Sequence, residues 1–106
     1  MSADFLLVVC TCPTHSAATG IATALLEERI AACVNQVPGI KSMYRWEGRV
    51  EHDDEVLLLI KTTSQMFPRL EETISKLHPY ELPEIIGVPL SAGTDAYLNW
   101  IKSAVE

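Results

Sequence analysis

Residues 32–60 read ACVNQVPGIKSMYRWEGRVEHDDEVLLLI. Ile40, Tyr44 and Trp46 fall on one side of an extended chain and Lys41, Met43 and Arg45 on the other, the period of two that a strand imposes on its side chains. Pro38-Gly39 interrupts the alternation. Proline has no N–H to give a ladder, so a bulge or bend belongs there. Glu47-Gly48 is a turn signal between two strand-like stretches. The chain then returns through residues 49–55 into Val56-Leu57-Leu58-Leu59-Ile60, apolar at every position. This stretch predicts a long hairpin with a polar tip and a buried base.

Working outward, Phe5-Leu6-Leu7-Val8-Val9-Cys10 is too short for a helix and is followed by Pro13, so it reads as a buried central strand. Thr14 is placed to cap a helix in which Ala18, Ile21, Ala22, Leu25 and Leu26 recur at helical spacing. Gly20 within it costs about 1 kcal/mol relative to Ala. Beyond the hairpin, Ser64 is placed to cap a second helix whose inner face is Phe67, Leu70, Ile74 and Leu77, with Pro68 in its first turn and Pro79 ending it. A loop, Tyr80-Glu81-Leu82-Pro83, leads to a short strand over residues 84–88. A last helix opens at Thr94-Asp95 and turns Tyr97, Leu98, Ile101 and Val105 inward.

The order βαββαβ plus a terminal helix is the α+β, ferredoxin-like arrangement, an antiparallel sheet with helices on one face, and residues 1–106 form one domain of it. Its sheet order, 4-1-3-2, has a consequence that linear spacing conceals. The end of the first strand lies beside the start of the fourth, so Cys10 and the His78-Pro79-Tyr80 loop become neighbours. The Trp46-Glu47-Gly48 tip points toward that same end.

Composition excludes several classes of function. A net charge of −6 and a pI near 4.9 repel phosphate backbones and anionic lipid, so no nucleic acid and no membrane surface is expected as a partner. No apolar run approaches the roughly 20 residues of a membrane helix. Met1-Ser2-Ala3-Asp4 carries an acid where a signal peptide would place a base. The three cysteines, Cys10, Cys12 and Cys33, are an odd set that cannot pair completely within one chain. Reduced thiols and a cytoplasmic location are expected.

Cys10 and Cys12, two apart on or just past a strand, point to one face, where two thiolates suit Cu(I) or Zn; the structural alternative is a pair of buried free thiols. Cys33 on the second strand reads as structural. His78 is a candidate metal ligand or pH-sensitive contact, or else a helix C-cap. The run Glu51-His52-Asp53-Asp54-Glu55 offers hard oxygen ligands but lacks the spacing of a calcium loop, and reads as a solvated hairpin flank. His15 reads as a surface residue. Tyr44, Trp46, Tyr80 and Trp100 could wall a small-ligand site or fill a subunit interface. There is no nucleophile elbow, phosphate loop or zinc-protease motif, and the acids Glu81 and Glu84 are a weak pair. No enzyme is expected.

The segments Ala32-Cys33 to Pro38-Gly39, Ser42-Met43-Tyr44-Arg45-Trp46-Glu47-Gly48, Glu55 to Lys61-Thr62-Thr63, His78-Pro79-Tyr80-Glu81-Leu82-Pro83-Glu84-Ile85 and Thr94-Asp95-Ala96-Tyr97-Leu98-Asn99-Trp100 together resemble the CutA divalent-cation tolerance family. The resemblance implies a homotrimer whose long hairpins pack against neighbouring sheets, and a role in tolerance of divalent metal ions, copper above all. Edge strands favour such closure independently, because their unpaired backbone groups need cover. Copper ligands in some bacterial members are a Cys ending strand 1 and two consecutive His before Pro-Tyr. Cys10 and His78 match one of each, while Leu77 stands in place of the first His. Two readings of function follow: a trimeric metal-binding protein using Cys10 and His78, or a trimeric signalling or scaffold module binding a small molecule or protein in its subunit clefts.

Overall fold

The hairpin read from residues 32–60 is the longest feature of the chain: β2, Cys33–Trp46, pairs with β3, Arg49–Thr63. A computed structural model describes residues 4–105; Met1, Ser2 and Ala3, on which the expectation of no signal peptide rests, lie outside the described residues, as does Glu106. Trp46 pairs with Arg49 across a two-residue turn in which Glu47 and Gly48 both have positive φ, 48° and 79°. That is the turn whose twist matches the strands it joins. Between Val37, opposite Leu57, and Ile40, opposite Glu55, the register shifts. Pro38 and Gly39 thus oppose the single residue Val56, a bulge that Gly39 permits with φ of 74°.

The bulge decides which side chains meet. Below it, odd residues of β2 face the same way as odd residues of β3; above it, Ile40, Ser42, Tyr44 and Trp46 join Glu55, Asp53, Glu51 and Arg49 on that face. Without the extra residue, every aromatic of the tip would point to the other side.

β1, Phe5–Cys12, runs through the middle of the sheet, antiparallel to β3 from Phe5 opposite Thr63 to Cys12 opposite Val56. β4, Ile86–Pro89, pairs with β1 only from Leu6 to Val9. The order is β2-β3-β1-β4, the order read from the sequence. Because β4 begins at Ile86 and not at Glu84, the last residues of β1 have no strand on that side.

Even residues of the central strands, Val8, Cys10, Cys12, Val56, Leu58 and Ile60, are buried beneath α1, His15–Glu27, and α2, Phe67–Leu77. Thr14 caps α1 as expected, its hydroxyl accepting from Ala17 N at 3.1 Å. Ala18, Ile21, Ala22 and Leu25 are buried, but Leu26, one step off that stripe, is exposed. Ser64 does not cap α2; it opens a 3-10 turn, Ser64–Met66, and α2 starts one turn later with Pro68 in its first positions. The third helix, α3, Asp95–Ala104, is capped by Thr94, buries Ile101 and leaves Tyr97 43% exposed, against expectation.

The other face of the sheet is also apolar. Val9 and Leu59 are cross-strand partners of Ile86 and Asn35, and Leu7 is opposite Val88. Leu7, Val9, Leu57 and Leu59 are half-buried, Ile86 and Val88 exposed.

Candidate metal centre

The inner stripe of α2 continues at i, i+4, i+8 through Leu70, Ile74 and His78. His78 is therefore buried at the helix C-cap, its N–H bonded to Ile74 O at 2.8 Å, while Leu77 is 49% exposed. This corrects the inner face expected for α2: the imidazole, and not Leu77, closes it. From below, Cys10 and Cys12 rise two residues apart on β1, both fully buried. The donor atoms of Cys10, Cys12 and His78 all lie within 4.8 Å of one another.

Both nitrogens of His78 are engaged. Tyr80 N–H donates to Nδ1 at 3.1 Å, which leaves Nε2 to carry the proton and donate to the Thr11 carbonyl at 2.7 Å. That carbonyl is available because β4 has not yet begun beside Thr11. The Cys10 thiol also approaches it, at 3.9 Å.

The two thiols divide one proton problem between them. A hydrogen bond from Cys10 lowers the Cys12 pKa, against burial and the field of Glu55, which raise it. The same bond, with burial and the charges of Cys12, Glu84 and Glu55, pushes Cys10 far up. Of the two thiols, Cys12 is the more readily deprotonated and so the readier to bind a metal. Two sulfurs and one imidazole are a soft set, suited to Cu(I) or Zn. Thiolate–metal bonds of about 2.3 Å put neighbouring donors about 4 Å apart, so the set closes on an ion with small shifts, provided that His78 gives up one of its two hydrogen bonds.

Around the end of β1 the site continues onto the opposite face of the sheet. Tyr80, next but one to His78, donates its phenol to Glu55 Oε2 at 2.8 Å. Glu55 is 6% exposed, which corrects its placement in a solvated flank. Tyr44 donates to Asp53. Between the hairpin stem and the loop after α2 lies a groove of about 620 Å³, with Thr11 in its lining.

The profile of the CutA1 divalent ion tolerance protein family matches residues 6–104. The chain belongs to this family. A divalent-cation tolerance protein CutA of Thermus thermophilus is 51% identical over 96 residues, 91% of this chain and 93% of its own. The mouse protein CutA is 46% identical over 96 residues, and this chain spans 54% of its length. The solved structure of the divalent cation tolerance protein CutA1 from Thermus thermophilus superimposes with a TM-score of 0.95 at 48% identity, covering 96% of this chain and 99% of that one. The Archaeoglobus fulgidus CutA, described as a periplasmic divalent cation tolerance protein, gives 0.93 at 36%, covering 96% and 99%.

Within this CutA1 chain the two metal candidates taken from the sequence, Cys10 and His78, do meet, and Cys12 joins them. The i, i+2 spacing on a strand was the signal for Cys12. Cys33 lies elsewhere, near Lys61 Nζ at 3.9 Å and the Tyr97 phenol. His15 is exposed at the start of α1. Of the four aromatics, Tyr44, Trp46 and Tyr80 share the groove, whereas Trp100 packs on Tyr97 with ring centroids 5.4 Å apart. The burial of Glu55 beside Tyr80 carried no signal in the sequence, since its neighbours across the hairpin are set by the bulge at Pro38-Gly39.

Proposed function

We propose that this CutA1 chain is a metal tolerance protein that acts by binding, not by catalysis: a single-domain, ferredoxin-like subunit of a cytoplasmic homotrimer that holds copper through Cys10, Cys12 and His78. The convergence of two thiols and one imidazole within 4.8 Å supports it. The missing family histidine at Leu77 is not fatal to this reading, because that position points outward here and Cys12 supplies a third donor. The apolar outer face of the sheet supports the trimer, since a lone subunit would leave Ile86 and Val88 in water. Competition against a chromophoric chelator, for Cu(I) and Cu(II) separately, tests the metal site. Tight stoichiometric binding, lost in Cys10→Ala and His78→Ala, is expected; unchanged weak binding in both variants would remove this reading.

A second reading, a signalling or scaffold trimer that holds a small molecule, is favoured by the groove. Its volume, about 620 Å³, lies in the range of small-molecule sites.

A further inference from the structure

We infer that the groove is a site for a small organic ammonium ion. The inference deepens the small-molecule reading and is independent of the metal centre. Three rings, Tyr44, Trp46 and Tyr80, and three carboxylates, Glu55, Glu81 and Glu84, line the groove, and no basic side chain does. The acids of the hairpin flank that do have cations are elsewhere: Asp54 pairs with Lys41 and Glu51 with Arg49. Among the described residues, none of the three groove carboxylates forms an ion pair. A chain with a net charge of −6 adds its long-range field to theirs.

The rings select the kind of cation. A ring face attracts a cation that sheds its water easily, which an alkylated ammonium does and a divalent metal ion does not. The rings are also held in place before any ligand arrives, Tyr80 by its bond to Glu55 and Tyr44 by its bond to Asp53. Both phenols stay neutral over the physiological range, Tyr80 through burial and its bond to Glu55, Tyr44 through its bond to Asp53. Each phenol spends its proton on an acid, so ring faces and carboxylate oxygens, not hydroxyl donors, are what the groove presents. Such a surface rejects anions and has little to offer a neutral polyol. The volume, about 620 Å³, is too large for a bare ion to fill, so the ligand carries an apolar body.

The test uses the full chain, metal-free, in phosphate buffer, with choline and its uncharged isostere 3,3-dimethylbutan-1-ol titrated by calorimetry and tryptophan fluorescence. Choline is expected to bind saturably, the isostere about tenfold more weakly. Trp46→Ala and Glu84→Gln, both at positions exposed in the single chain, are each expected to weaken choline several-fold with unchanged circular dichroism. Equal binding of the isostere would overturn the cation while leaving a small-molecule groove. Choline binding untouched by both variants would place it elsewhere and overturn the inference. No saturable binding of either probe at about 50 mM, well above a millimolar Kd, would remove the ammonium site, and a wider screen of uncharged metabolites giving no thermal shift would then remove the small-molecule reading as well.

Discussion

The His78 ring donates to the carbonyl of Thr11 across 2.7 Å and in the same state accepts from the backbone of Tyr80. One side chain thereby ties the end of α2 to the end of β1 that β4 leaves uncovered, and starts the loop that walls the groove. A buried acceptor that loses its partner costs about 1–3 kcal/mol, and a part-buried donor such as the Tyr80 N–H somewhat less. His78→Ala is therefore expected to destabilise the chain by a few kcal/mol in guanidinium unfolding of the metal-free protein, at unchanged denaturant slope. A loss below about 0.5 kcal/mol, within the scatter of surface substitutions, would mean that water replaces both contacts.

The turn at Glu47-Gly48 offers a sharper test of backbone conformation. Glu47 has φ of 48°, a region that disfavours residues with a Cβ by about 1–2 kcal/mol and that Asn tolerates best among them. Glu47→Asn is expected to stabilise by about 0.5–1 kcal/mol, and Gly48→Ala to destabilise by about 1 kcal/mol. Both are read as shifts in the unfolding midpoint.

Alkaline stability follows from the two phenols. The Asp53 carboxylate beside Tyr44 pushes its pKa from 10.0 up to about 12, and burial, then the Glu55 carboxylate, pushes that of Tyr80 higher. The unfolded chain releases these protons near pH 10 while the folded chain keeps them, so protons are lost on unfolding and stability falls as pH rises. The stabilisation is complete below pH 10 and declines from there, through about 12 for Tyr44 and beyond for Tyr80. Tyr80→Phe should flatten the decline more than Tyr44→Phe, whose partner is solvated and screened. Unfolding curves from pH 9 to 12 check this; equal slopes in wild type and Tyr80→Phe would dismiss it.

Much of this was legible in the residues themselves. Alternation, a proline, and a turn dipeptide were enough for β2 and β3, and Thr14 and Thr94 marked two helix starts by their side-chain chemistry. The failures share a cause: phase that depends on something distant. Leu77 and His78 are adjacent, and a stripe counted at i+3 from Ile74 selects Leu77, while one counted at i+4 selects His78. Only the thiols and carbonyl beneath decide between them. Glu55 looked solvated because its neighbours are charged, yet the bulge on the partner strand turns it toward the groove.

Association is expected to run through the apolar outer face. In the single chain Ile86 is 53% exposed, so Ile86→Glu should leave the subunit's fold intact while placing a charge in the contact. Wild type is expected to sediment as a trimer and to melt at a temperature that rises with protein concentration; Ile86→Glu is expected to sediment lighter and lose that dependence. A wild type of monomeric mass at micromolar concentration would end the proposal.

The thiols give the last prediction, and it separates roles that simple loss of binding does not. Cys12 owes its lowered pKa to the hydrogen bond from Cys10. Cys10→Ala removes that bond and leaves burial and Glu55, both of which favour the protonated thiol, so the Cys12 titration should move to higher pH. Cys12→Ala removes the largest cause holding the Cys10 pKa up, so Cys10 should titrate lower than in the wild type. Thiolate absorbance against pH, read in a Cys33→Ser background, reports each shift directly. Because a metal displaces the thiol proton, the pH at which half the Cu(I) or Zn is taken up should rise in Cys10→Ala along with the Cys12 titration. Uptake that weakens in that variant without any change in its pH midpoint would mean that Cys10 acts as a ligand alone and does not prepare its neighbour.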